Sequence, residues 1–137
     1  MTKFENQLEL DRRKYPRIFF SVDDEVAASI TTPNTNNLPP FHAKVMDLSL
    51  GGLFFTIKRG ELLPINEGDF LLLKDIIAFF QFRITCEIEM KVKRVQDHQF
   101  IEYIGFGCEF ISPPPETEEQ IRNLLNLIHR KDQKIKA

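Results

Sequence analysis

Tryptophan is absent from the 137 residues, cysteine occurs twice and histidine three times. Cys86 and Cys108 form no C-x-x-C pair, and His42, His98 and His129 stand singly, which argues against a metal site and against a structural disulfide. Both cysteines read instead as small apolar residues of a core. Long hydrophobic runs are lacking too, since no stretch approaches the ~20 apolar residues of a spanning helix. The opening Met1-Thr-Lys-Phe-Glu-Asn-Gln has no apolar centre of a secretion signal. These absences predict a cytoplasmic protein without direct membrane insertion. Charge of one sign is scarce as well: 18 Lys and Arg against 20 Asp and Glu leave a formal net charge of −2. Nucleic acid is therefore not an expected partner, and any anion site must be a local cluster. The sequence carries no P-loop and no nucleophile spaced with a base, so neither an enzyme nor a cofactor is expected.

What is present is apolar sequence in strand rhythm. At 42% hydrophobic content, with 13 phenylalanines, the chain can build one modest core. Residues 1–17 are polar and charged, punctuated by Phe4, Leu8 and Leu10, and read as a flexible arm. From Ile18 the period becomes two, with Ile18, Phe20, Val22, Val26, Ala28 and Ile30 on one face, which predicts a long strand over 18–30 interrupted at Asp24. The turn formers from Thr31 to Pro40 predict a loop. Short strands over 43–48 and 52–57 follow, joined by the Ser49-Leu-Gly-Gly turn.

Glu67-Gly-Asp leads into a further strand, while 75–82 is so uniformly apolar that strand and half-buried loop both fit. Thr85–Lys93 alternates cleanly, with Cys86, Ile88, Met90 and Val92 inward, and Arg94-Val95 then breaks the register as a β-bulge would. A last strand over 103–111 puts Ile104, Phe106, Cys108 and Phe110 on one face. Pro113-Pro-Pro opens a helix, with Thr117 and Gln120 spaced as a capping box and Ile121, Leu124, Leu125 and Ile128 as its apolar stripe. The sum is a mainly β fold, a six-stranded antiparallel β-barrel with a C-terminal α-helix, spanning 18–131 and followed by a charged tail, 132–137.

Two constellations carry chemistry: Arg13-Lys-Tyr-Pro-Arg17, before the first strand, and Asp47-Leu-Ser-Leu-Gly-Gly52, between the second and third. At average usage of about 5 to 7% per residue type, R-x-x-x-R arises by chance in about a third of chains this long. D-x-S-x-x-G arises in only a few per cent, and the two in this order in roughly under one per cent. Their order, and the sheet-then-helix plan over about residues 11–131, resemble the PilZ family, whose signatures are R-x-x-x-R and D/N-x-S-x-x-G.

The resemblance implies a receptor for cyclic di-GMP, without catalysis, whose N-terminal arm wraps over the ligand and whose signal leaves through a downstream partner protein. Chemistry fits the implied ligand. Cyclic di-GMP offers two phosphates and two guanines, and the planar fork of Arg13 or Arg17 can bind a phosphate or the guanine O6/N7 edge in bidentate fashion. Asp47 is acceptor-only and complements the guanine N1–H and N2–H₂ donors. Ser49 can add a hydroxyl contact or fix the turn, and Gly51 and Gly52 leave the backbone open to a flat ligand. Arg12, just before the first motif, goes in the family with an intercalated pair of ligand molecules.

Plainer readings exist for each motif. Arg13 and Arg17 can pair with Glu9 or Asp11 on an exposed segment, and Asp47-Ser49-Gly52 can be an ordinary hairpin turn satisfying its own backbone. An alternative function is a nucleotide-independent protein-interaction module, for which apolar residues in 76–82 are the candidate surface for a partner or a homodimer.

Overall fold

The computed structural model describes residues 17–20, 24–32, 40–61, 65–79, 81–98 and 102–136, with residues beyond Ile128 described by backbone alone. Alternating apolar side chains generate seven strands among them: β1 Ile18–Phe19, β2 Ala27–Thr31, β3 Phe41–Leu48, β4 Gly52–Lys58, β5 Phe70–Ala78, β6 Phe82–Gln96 and β7 Tyr103–Ile111. Six of these close on themselves in the order β3-β2-β5-β6-β7-β4 and back to β3, all antiparallel, which leaves the barrel without an open edge. The alternation within β6 is met in full, with Cys86, Ile88, Met90 and Val92 all buried. The interior is anchored by Phe55, stacked on Phe106 at 5.1 Å between centroids and tilted against Phe41 at 6.2 Å. Such ring pairs add about 0.5–1.5 kcal/mol each beyond their burial.

β1 is the seventh strand and lies outside the closed circuit. It continues along the edge of β3 that β2 occupies further up: β2 pairs with Phe41–Lys44, and β1 with Asp47 and Leu48. The single long strand expected over 18–30 is therefore split. Between Phe19, opposite Asp47, and Ala27, opposite Lys44, no strand pairing continues among the described residues, and Glu25 takes a left-handed backbone with φ 44°. Hydrogen bonds bracket this break, from Phe20 N–H to the Met46 carbonyl (3.0 Å) and from Val45 N–H to the Val26 carbonyl (2.8 Å).

Of the open segment 75–82, Asp75–Ala78 end β5, Phe79 and Gln81 are turn residues and Phe82 starts β6. The helix α1 runs Pro115–Lys136, so its backbone continues through 132–136 beyond the expected boundary at 131; Lys, Asp and Gln are tolerable there, and no proline or glycine stops it. Its start also differs from the expected capping box. Pro115 takes the first helical position, where its missing N–H costs nothing, and Thr117 lies buried within the first turn beside Glu116 and Glu118. Ile121, Leu124 and Ile128 bury the predicted stripe, and the helix rests on β6 and β1. The helix thereby buttresses the strand that follows Arg17.

Candidate functional site

The turn between β3 and β4 is built by its serine. Ser49 N–H donates to the Gly52 carbonyl at 2.9 Å, and its hydroxyl donates to the same oxygen at 3.4 Å while accepting from Gly51 N–H at 3.1 Å. The Gly51 carbonyl in turn accepts from Phe110 N–H at 2.8 Å, which moors the turn to β7. Of the two roles open to Ser49, this geometry fills the turn-fixing one. Gly52 does not use a left-handed backbone. Its lack of a side chain is demanded by the Cys108 carbonyl of β7, which stands where a Cβ would be.

Asp47 reaches the outside of the barrel because β3 carries one extra residue. Val45 opposes Phe55 and Leu48 opposes Leu53, all four inward, but the register shifts between Val45 and Asp47. Without that bulge at Met46, strict alternation would carry the carboxylate into the core. Instead Asp47 faces outward opposite Phe54 of β4, yet it remains only 6% exposed. Burial pushes its carboxyl pKa above the ordinary value, and the positive charges of Arg17 and then Arg94 partly offset this.

Asp47 is the second member of a row that crosses the barrel's outer face. Phe19 of β1 opposes Asp47, Asp47 opposes Phe54, Phe54 opposes Gly107 of β7, and Gly107 opposes Arg94 of β6. Both glycines of β7 serve the row. The Phe54 ring lies over Gly105, in the space a Cβ would fill, and Gly107 leaves a gap bordered by the Arg94 side chain (3.5 Å to Nε) and the Phe54 ring (3.7 Å). Through that gap the Arg94 guanidinium settles over the Phe54 ring, 5.6 Å from its centroid. The bulge anticipated at Arg94-Val95 is present as a register shift between Val92 and Arg94, and it places Arg94 in this row.

Of the residues picked from sequence, the structure brings Arg17 and Asp47 together at one end of the row and places Ser49, Gly51 and Gly52 in the adjoining turn. Arg12 and Arg13 lie outside the described residues. The row also contains Arg94 and Phe54, which belong to neither sequence motif. The available signal was the pair Gly105 and Gly107, spaced two apart on one strand face, which marks a place where something must approach the backbone closely.

In the apolar segment 76–82 the described hydrophobic side chains are buried or half-buried. Ile76 and Ala78 face the core at 0% exposure, and Ile77, Phe79 and Phe82 are half-buried. Phe19, at 69%, is the most exposed of the large hydrophobic residues described, and it stands beside Asp47. Both cysteines are free, as expected, and burial raises the Cys86 thiol to about 11 and the Cys108 thiol to about 12. Among the described residues no three His, Cys, Asp or Glu side chains are grouped to hold a metal ion, and no helix is long and apolar enough to cross a membrane.

The fold is thus a closed antiparallel barrel that carries a buried carboxylate, Asp47, under the charge of Arg17 and Arg94 on its outer wall. Comparison with known proteins identifies its family. The PilZ domain model matches residues 11–127, and the chain belongs to the PilZ domain family. No curated protein matches the sequence. Among solved structures, the PilZ domain of YcgR from Escherichia coli, with c-di-GMP, superposes with a TM-score of 0.70 at 15% identity, covering 90% of this chain and 95% of that one. The K. pneumonia MrkH–c-di-GMP complex gives 0.67 at 20% identity, and the Bacillus subtilis inhibitor of motility MotI/DgrA gives 0.65 at 20%, each over 90% of this chain. The match spans only 55% of the MrkH chain and 53% of the MotI/DgrA chain. At such identities these likenesses speak for the fold.

Proposed function

We propose that this chain is a non-catalytic receptor for cyclic di-GMP, in which Arg13 and Arg17 of the R-x-x-x-R segment and Asp47 of the β3–β4 turn close together on the dinucleotide. The observation that carries the reading is the β1–β3 pairing, which brings Arg17 near the buried carboxylate of Asp47 on the barrel's outer face. Among the described residues this carboxylate makes no salt bridge, and as an acceptor it can take donors from a ligand. Guanine N1–H and N2–H₂ supply them, and arginine forks answer the phosphates and the O6/N7 edge. Support also comes from the family and from the c-di-GMP named for YcgR and MrkH.

The proposal includes ordering of the arm, residues 1–17, over the ligand, with Arg12 favouring a second ligand molecule. Fixing roughly eight residues costs on the order of ten kcal/mol. Each charged hydrogen bond returns only about 1.5–3 kcal/mol. Several contacts must therefore form as a unit, and the ordered arm becomes the surface a downstream partner protein reads. Isothermal titration of the whole chain with cyclic di-GMP tests the assignment: wild type binds, while Arg17→Ala and Asp47→Ala lose the heat. Undiminished heats in both variants would refute it.

A further inference from the structure

We infer that Arg94 is a further nucleotide-binding arginine, one that reads the O6/N7 edge of a guanine and so selects guanine over adenine. The inference rests on the cyclic di-GMP reading and adds a specificity residue that neither sequence motif contains.

Arg94 begins three strands from Asp47, about 14 Å away at the usual spacing of neighbouring strands. An arginine on a strand would ordinarily be stopped by the side chain of the next strand. Here that position is Gly107, so the guanidinium passes over β7 and lies on the Phe54 ring. Phe54 is itself seated on Gly105. Three residues with no obvious part in the core are thus arranged to hold one cation at a fixed place on the outer face.

Among the described residues, Arg94 makes no salt bridge and no hydrogen bond, whereas Lys58, Arg59, Lys74 and Arg122 all pair with carboxylates. An exposed arginine whose rotamer is fixed by a ring while its five N–H donors stay open is preorganised for an acceptor-bearing ligand. The ligand's chemistry follows from the neighbour in the row. Asp47 accepts from the guanine donor edge, and the adjacent edge of the same purine offers O6 and N7, two acceptors in the spacing of an arginine fork. Adenine would present an amino donor there and turn the contact repulsive.

The test is a double-mutant cycle between protein and ligand, read by calorimetry on the whole chain. Arg94→Ala should weaken cyclic di-GMP binding by about 5- to 150-fold, the worth of a bidentate guanine contact. Arg94→Lys should not restore it, because a point charge lacks the fork. A cyclic dinucleotide carrying 7-deazaguanine, which lacks the N7 acceptor, should lose affinity for wild type and lose little more for Arg94→Ala. Cyclic di-AMP should gain on cyclic di-GMP in Arg94→Ala. Equal affinity of wild type and Arg94→Ala, or an equal 7-deaza penalty in both, overturns the inference while leaving the receptor reading intact if Arg17→Ala still abolishes binding. Absence of binding by wild type overturns both. Arg94 is exposed, and matching thermal melts of the variants exclude loss of folding as the cause.

Discussion

Gly52 and Cys108 approach so closely that the cysteine's carbonyl oxygen occupies the place of a glycine side chain. This contact joins the last residue of the turn motif to β7, and it makes Gly52 a packing residue first. Gly52→Ala should therefore destabilise the empty protein, by about 1–3 kcal/mol as for other overpacked sites. Chemical denaturation without ligand measures this, and a variant as stable as wild type would contradict the geometry.

Gly105 offers the contrast. A methyl there meets the far end of the Phe54 ring, which can swing aside, so stability should change by less than about 1 kcal/mol. Displacing the ring unseats Arg94. Cyclic di-GMP affinity should fall by about 2- to 5-fold, the worth of an exposed cation–π contact. Titration and melting of Gly105→Ala separate the two effects, and a large loss of stability with unchanged affinity would reverse the assignment.

Asp47 links stability to pH in an unusual direction. Its carboxyl is raised above the ordinary 3.8 by burial, so in the acidic window between the unfolded and folded values the native state holds more protons than the unfolded one. The stabilisation from this group is fully present below the unfolded value and is lost as pH rises through the folded value. Asp47→Asn should then melt higher than wild type near neutral pH, with the difference shrinking on acidification. Ligand binding should move the opposite way, weakening as the carboxylate protonates and loses its acceptor. Thermal melts and titrations across pH 3 to 7, roughly bracketing a raised carboxyl, read both trends; an Asp47→Asn variant that melts lower at neutral pH would contradict them.

Cys86 and Cys108 should behave as inert core residues. With thiols raised to about 11 and about 12 and nearly no exposed surface, neither holds appreciable thiolate near neutrality. A thiol reagent should label neither in the native protein and both in denaturant. Rapid labelling of native protein would mean that β6 or β7 opens far more readily than a closed barrel allows.

Much of this was legible in the linear sequence, for a definite reason. Period-two alternation in residues 85–93 and 103–111 encodes which face is buried, because side-chain direction in a strand depends only on parity. The turn motif, the bulge near Arg94 and the stripe Ile121, Leu124 and Ile128 are equally local facts. Parity fails where an extra residue enters. The bulge at Met46 turns Asp47 outward, and the left-handed Glu25 splits what reads as one strand into β1 and β2. The row from Phe19 to Arg94 was not written in any local pattern, since its members come from five strands and meet only because the barrel closes with one particular register. The sequence by itself determined which residues are inward, where the chain turns and that arginines and an aspartate flank the first strands. Only the tertiary structure decided that Arg94 passes over Gly107 onto Phe54 and into the row of Asp47, because register between distant strands is set by the packing of the whole core.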